Sequence, residues 1–389
     1  MMEAFEPYFR EFLVHFVKSG SGEEDGSRFG FKDHMIKAAQ GSKPVWNYEA
    51  GVVLKAAQWL YEYSKDEFYK DCIVDFMDHH IAEDGTIKYL DTNELNLDKI
   101  NSGKILFYLY EETGEERYRK AIDSLIHMLR RHPRTSTGNF WHKTIYPYQI
   151  WLDGLYMALP FLLEYETKYN HNENCGDVYS QMKHVRELMY DENDHLYRHA
   201  YDEKKVMIWA DPKTGLSHNY WIRSIGWHLM ALIDLYEISD EEIFEQHKAY
   251  ADWFKEALSG VMEHQDPETK LFYQLAALPD LKGNYLETSG SAMVAYSILK
   301  GCRLGVLQSE KWLERGIQVL QGLYDHKMVC IDGVWHLKDI CQVAGLGPKD
   351  ERDGSAAYYL SEPIVMDEVK GIGAAMMAYA EYLKVTAGR

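Results

Sequence analysis

Apolar residues recur at three- and four-residue spacing along most of the chain, the period of amphipathic helices, and almost no stretch alternates as a strand would. The pattern predicts twelve helices, at 4–19, 45–64, 66–80, 98–113, 115–132, 147–169, 172–190, 218–238, 240–264, 285–303, 309–325 and 368–386. Three of the short junctions share a motif. Leu60-Tyr61-Glu62-Tyr63-Ser64 runs into Lys65-Asp66-Glu67-Phe68-Tyr69; Leu109-Tyr110-Glu111-Glu112-Thr113 into Gly114-Glu115-Glu116-Arg117-Tyr118; Leu235-Tyr236-Glu237-Ile238-Ser239 into Asp240-Glu241-Glu242-Ile243-Phe244. In each, one helix ends, a Ser or Thr is placed to cap the next, and acidic residues complement the dipole of its first turn.

Between these hairpins lie longer polar, Gly-rich and aromatic stretches, near 20–44, 81–97, 133–146, 191–217, 265–284 and 326–367, so long and short connections alternate strictly. Hairpins that cannot bury their faces alone must stack, in an open solenoid or a closed ring. The long loops differ too much in length and composition for a regular solenoid. The expected fold is all-α, an (α/α)6 barrel, with residues 1–389 forming one domain. All long loops then fall on one end, together with the starts of every second helix.

Composition narrows the function. The formal charge of −19 repels nucleic acid and anionic membranes, so neither is expected as a partner. No apolar run is long enough to span a bilayer, and the first residues lack the basic and apolar regions of a signal peptide. Five scattered cysteines without a C-x-x-C pair argue against disulfides or a zinc site. A cytoplasmic protein is expected, monomeric or weakly dimeric. The 29 Tyr and 10 Trp exceed what a core needs, and such rings suit faces that stack on sugars. No P-loop, Rossmann fingerprint or Gly-x-Ser-x-Gly occurs, and His79-His80 has no metal-ligand spacing, so no cofactor and no metal are expected. Thr288-Ser289-Gly290-Ser291 reads as a helix cap and close-packing site.

Candidate chemistry collects in the long loops and the helix starts after them. The densest segment runs from Phe140-Trp141-His142-Lys143 to Trp151-Leu152-Asp153-Gly154-Leu155-Tyr156-Met157, with Pro147 suited to the first turn of a helix. Asp153 then falls within the helix's first two turns, among Trp151, Tyr156 and Met157, where burial would raise its pKa as a general acid requires. An Asp at a helix start also serves simply to complement the dipole. Trp221 and Arg223, with Trp227 one turn on, would make a carboxylate clamp or a surface cation–π pair. Asp98 is either an N-cap or an acid. His199 either touches a ligand or satisfies its loop. Trp46-Asn47-Tyr48-Glu49 adds an aromatic wall.

These segments resemble unsaturated rhamnogalacturonyl hydrolases, glycoside hydrolase family 105. The matching residues are His132-Pro133-Arg134-Thr135 through Lys143, Trp151 through Met157, Trp221-Ile222-Arg223-Ser224-Ile225-Gly226-Trp227, Thr288 through Met293, Asp353-Gly354-Ser355 and Tyr359-Leu360-Ser361-Glu362-Pro363. The resemblance runs from about Trp46 to Tyr382 and implies an (α/α)6 barrel. It implies removal of a 4,5-unsaturated galacturonyl residue from the non-reducing end of rhamnogalacturonan fragments by hydration of the enol ether. Asp153 matches the general acid and later base, Asp98 the second acidic residue. His142, Lys143, His199, Trp221, Arg223 and Trp227 match positions lining the sugar subsite, and Tyr48 matches more loosely. No cofactor follows, and the implied partner is a small unsaturated oligosaccharide. Rival readings are an unsaturated glucuronyl hydrolase of the related family 88, an acylglucosamine 2-epimerase-like barrel, and a non-catalytic toroid that binds a glycan or a protein.

Overall fold

The computed structural model describes residues 2–21, 46–347 and 352–387; the loop expected near 20–44 lies almost wholly outside them. Each of the twelve expected helices is present, and the described residues add a thirteenth, short one. They are α1 (Phe5–Ser21), α2 (Tyr48–Ser64), α3 (Glu67–His80), α4 (Lys104–Thr113), α5 (Glu116–Arg131), α6 (Leu152–Tyr169), α7 (Cys175–Met189), α8 (Ile222–Ile238), α9 (Phe244–Met262), α10 (Thr288–Arg303) and α11 (Ser309–Lys327), then a short α12 (Ala356–Ser361) inside the last long loop, and α13 (Val369–Thr386).

The six helices that follow long loops, α2, α4, α6, α8, α10 and α13, pack side by side in that order, and α13 returns onto α2 to close the ring. The contact from α4 to α6 runs through two 3-10 turns, Leu97–Lys99 and Asn101–Gly103, which replace the first turns of the helix expected from 98. Outside this ring, α3, α5, α7, α9 and α11 each lie against the inner helix that precedes them, and α1 lies against α3 and α13. The sequence explains which helix goes where. α10 is buried continuously from Thr288 to Cys302, on every face, as a helix flanked on both sides must be. α5 buries only the stripe Tyr118, Ala121, Ile122, Leu125, Ile126, Met128 and Leu129 and turns its charges outward. The fold is the six-hairpin α/α toroid.

At the short turns the expected capping is corrected. Ser64 and Thr113 donate to the carbonyls of Leu60 and Leu109, four residues back, and Ser239 to Tyr236. They close the preceding helix. Asp66 caps α3 instead, accepting from the Phe68 N–H, and Asp240 caps the 3-10 turn Glu241–Ile243 that leads into α9, accepting from the Glu242 N–H, while Glu115 before α5 makes no side-chain cap bond. A left-handed residue, Lys65 or Gly114, turns the chain between α2 and α3 and between α4 and α5, which leaves the hydroxyl facing back.

Among the described residues the long loops hold what the periodicity did not reveal: four two-stranded antiparallel ribbons. β1 (Gln149–Trp151) pairs with β4 (Ala200–Asp202), β2 (Tyr190–Asp191) with β3 (Leu196–Tyr197), β5 (Met328–Ile331) with β6 (Val334–Leu337), and β7 (Ile340–Cys341) with β8 (Ile364–Val365). Runs of two to four residues are too short to show alternation. β1 also moves the start of α6 from the expected 147 to Leu152, so Pro147 lies before the helix, outside its first turn.

One inner helix carries an internal proline. Pro160 of α6 has no N–H for the Tyr156 carbonyl, four residues back. The ammonium of Lys104, at the start of α4, donates to that carbonyl instead at 2.6 Å and sits 3.4 Å from the Tyr156 ring centroid.

Candidate active site

Short ladders between loops assemble a cavity at the long-loop end. Asn96 bridges to Lys143, His142 donates its backbone N–H to the Gln149 carbonyl, and Trp151 pairs with Ala200. The Leu152 N–H then bonds the His199 carbonyl at 3.1 Å. Residues some hundred positions apart, Asp98, His142, Lys143, Asp153 and His199, are thereby laid beside one another. On the far side, Trp221 bridges to Leu275 at the start of α8.

The cavity measures about 290 Å³. Eight of the nine residues singled out in the sequence line it: Tyr48, Asp98, His142, Lys143, Asp153, Trp221, Arg223 and Trp227. The ninth, His199, is fully buried directly behind Asp153. Asn47, Glu49, Asn96, Tyr146, Trp151, Met157, Val343, Gly345 and Arg352 are the other described residues of the lining. Of these, Tyr146, Trp151 and Met157 belong to the dense aromatic segment. Val343, Gly345 and Arg352 come from the last loop, where no pattern marked them. Trp46 is fully buried outside the cavity lining and donates its indole N–H to the Lys99 carbonyl.

Asp153 is the second residue of α6, nearer the helix start than Pro147 implied. Its surroundings are not purely apolar, because Oδ2 lies 3.1 Å from Nε2 of His199, whose Nδ1 lies 2.7 Å from the Tyr359 hydroxyl. Gly154 is required beside it: a Cβ there would stand 2.9 Å from Nδ1 of His142 and 3.0 Å from Leu97.

Asp98 sits in the first 3-10 turn, where Asn96 serves as the N-cap, so its own carboxylate is free for the cavity. Lys143 Nζ is 2.5 Å from Oδ2 and His142 Nε2 is 3.7 Å from Oδ1. Burial pushes the Asp98 carboxyl up, yet Lys143 and His142 outweigh it and hold it below its ordinary range. Lys143 is correspondingly raised, since the charge of Asp98 overcomes its own burial. His142 is pushed down to about 4 by burial, against the pull of Asp98, and is neutral at neutral pH. Its ring is parallel to Trp151 at 4.6 Å, and Tyr146 stacks on the same indole at 4.9 Å.

Arg223 is not a surface residue. It is 1% exposed, donates from Nε to Ser289 at 2.6 Å and from Nη2 to the Cys341 carbonyl, and lies 3.5 Å from Glu287. Burial alone would lower its pKa, but the Glu287 carboxylate holds it above the ordinary arginine value. No described residue takes a hydrogen bond from Nη1. Glu287, rather than the expected Thr-Ser-Gly-Ser segment, is the N-cap of α10, accepting from the amides of Ser289 and Gly290; the segment itself is the first turn of the helix, where Ser289 also accepts from the arginine. The guanidinium lies 5.3 Å from the Trp221 ring, while Trp227 stacks on Tyr156 at 4.9 Å and meets Tyr48 edge-on at 6.4 Å. The arrangement offers an imidazole-backed carboxyl group, an ionised carboxylate held by lysine, an anchored guanidinium, and flat aromatic walls.

Residues 29–386 match Glycosyl Hydrolase Family 88. A solved family 105 glycoside hydrolase from C. acetobutylicum is 39% identical and superposes with a TM-score of 0.85 over 94% of this chain and 99% of its own. Protein Atu3128 of Agrobacterium fabrum is 38% identical over 233 residues, 58% of this chain and 98% of that protein. The unsaturated rhamnogalacturonyl hydrolase YesR of Bacillus subtilis is 25% identical over 281 residues, 70% of this chain and 75% of YesR. The chain therefore belongs to the related glycoside hydrolase families 88 and 105, the unsaturated uronyl hydrolases.

Proposed function

We propose that the whole chain is one catalytic domain that removes a 4,5-unsaturated galacturonyl residue from the non-reducing end of rhamnogalacturonan oligosaccharides by hydrating the C4=C5 enol ether. The observation that carries this reading is Asp153 at the cavity wall, its Oδ2 held by buried His199 and its side chain open to the cavity. Asp153 donates a proton to C4, water adds to the resulting cation at C5, and Asp153 takes the proton that the water releases. The C5 hemiketal then opens to a ketone, which leaves a hemiacetal at C1, and collapse of that hemiacetal to the aldehyde releases the aglycone as an alcohol. Chemistry of this kind needs no pair of carboxylates set at a fixed spacing across a glycosidic bond.

The remaining lining fits an unsaturated uronate. Trp221, Trp227 and Tyr48 provide faces for a flat ring, and Nη1 of Arg223 with Lys143 provides the cations for its carboxylate in a chain of net charge −19. Asp98, kept ionised by Lys143, accepts from sugar hydroxyls. A cavity of about 290 Å³ is at the small end for ligand sites, which suits one terminal sugar and exo action. The likeness to YesR supports the rhamnogalacturonan substrate.

The test is an ultraviolet assay on lyase-generated unsaturated rhamnogalacturonan disaccharide, with Asp153→Asn as control. Wild type is expected to abolish the enoate band and the variant to leave it. A band that survives wild type but is lost from chondroitin-type unsaturated disaccharides would transfer the activity to the glucuronyl substrate. Survival of both would overturn the hydration mechanism.

A further inference from the structure

Two buried polar side chains stand in series behind Asp153. His199 and Tyr359 are both fully buried, and the imidazole is held between the edge of Trp151, at 5.4 Å, and the ring of Trp221, at 4.9 Å. Nε2 faces Asp153 and Nδ1 faces the Tyr359 hydroxyl. That hydroxyl has no other hydrogen-bond partner among the described residues, and burial first, then the neighbouring charges, keep the phenol protonated.

A neutral imidazole has one N–H and one acceptor nitrogen. With Tyr359 donating to Nδ1, Nε2–H donates to Oδ2 of Asp153, and every polar hydrogen in the series is paired. With the proton on Nδ1, the phenol must accept and its own hydrogen is left unpaired in a dry site, the costlier arrangement. In that second arrangement Nε2 also becomes an acceptor, which draws the carboxyl proton of Asp153 onto Oδ2, away from the cavity.

We propose that Tyr359 is a positioning residue: by donating to Nδ1 it fixes His199 as the Nε2–H tautomer and so confines the acid's proton to Oδ1 of Asp153. Oδ2 then accepts from His199 in both protonation states of the carboxyl group. The proton passed to substrate leaves Oδ1, and the one released by water returns to Oδ1. This role rests on the reading of Asp153 as the acid, whereas the tautomer itself does not.

The experiment uses protein labelled with 15N-histidine, whose long-range proton–nitrogen correlations distinguish protonated from unprotonated ring nitrogens; His199→Gln identifies the signals. Wild type is expected to show His199 protonated at Nε2 only. Tyr359→Phe is expected to move a substantial fraction of the proton to Nδ1. With the unsaturated disaccharide its kcat should fall about tenfold at nearly unchanged KM, the size of one lost buried hydrogen bond. A wild-type ring protonated at Nδ1 or at both nitrogens, or an unchanged tautomer in Tyr359→Phe, overturns the proposal. The wild-type spectrum decides this even should the variant fold poorly. If the tautomers behave as expected but no unsaturated disaccharide is consumed, the assignment of Tyr359 and His199 stands and the proposed reaction fails.

Discussion

Replacing Lys104 by methionine should change the pH dependence of stability in a direction fixed by the structure. The ammonium is 3% exposed and donates to the Tyr156 carbonyl that Pro160 leaves without a helical partner. Burial, reinforced by Lys55 and Lys300 and opposed by Asp234, lowers it to about 7. In the unfolded chain the same group titrates near 10.5. Between those values the unfolded state binds more protons than the folded one, so this lysine's contribution to stability rises with pH; below about 7 it is flat. The expected gain from pH 7 to pH 9 is about 2 kcal/mol. Methionine has no proton to exchange, so urea denaturation at a series of pH values should show wild type gaining that much on the variant. A second, pH-independent effect is separable. Lys104→Met orphans the Tyr156 carbonyl at a cost of about 1–3 kcal/mol, whereas Pro160→Ala restores a backbone donor and should shrink that cost. Parallel stability curves for wild type and Lys104→Met across this range would refute the assignment of a depressed, charge-disfavouring site.

Two further substitutions probe the cavity. Asp98→Asn leaves Lys143 buried without its carboxylate and should destabilise the protein by about 1–3 kcal/mol at pH 7. Because the Asp98 carboxyl is held below its ordinary range, the stabilisation it provides is complete above that range and lost as pH falls through its folded value, so melting temperatures of wild type and variant should converge in acid and diverge above it. Gly154→Ala places a methyl group 2.9 Å from His142 and should depress kcat/KM at least about tenfold while the far-ultraviolet circular dichroism stays that of wild type; full activity would show that His142 can move without consequence.

Much of the fold was legible because it is local. Helix period, acidic residues at helix starts and alternating loop lengths each depend on residues within a few turns of one another, and together they imply six hairpins in a ring. Position at the helix starts after long loops drew attention to Asp98, Asp153, Trp221, Arg223 and Trp227, the resemblance chose among their alternative roles, and the structure brings all five to one cavity. Arg223 was read as a surface pair or a clamp; its partners Ser289, Glu287 and Cys341 lie more than sixty positions away, so its burial could not be read from Trp221 and Trp227.

By itself the sequence determined the twelve helices of the six hairpins, the end of the ring that carries the long loops, and the residue types available there. Only the tertiary structure decided how those residues address one another. The pairing of Gln149–Trp151 with Ala200–Asp202 delays α6 until Leu152 and brings His199 to Asp153, and the last loop returns Tyr359 to the other side of the same imidazole. Those contacts are short ladders and single hydrogen bonds between segments distant in the chain. They leave no periodic trace in the sequence, because each depends on a backbone position that exists only once the ring has closed.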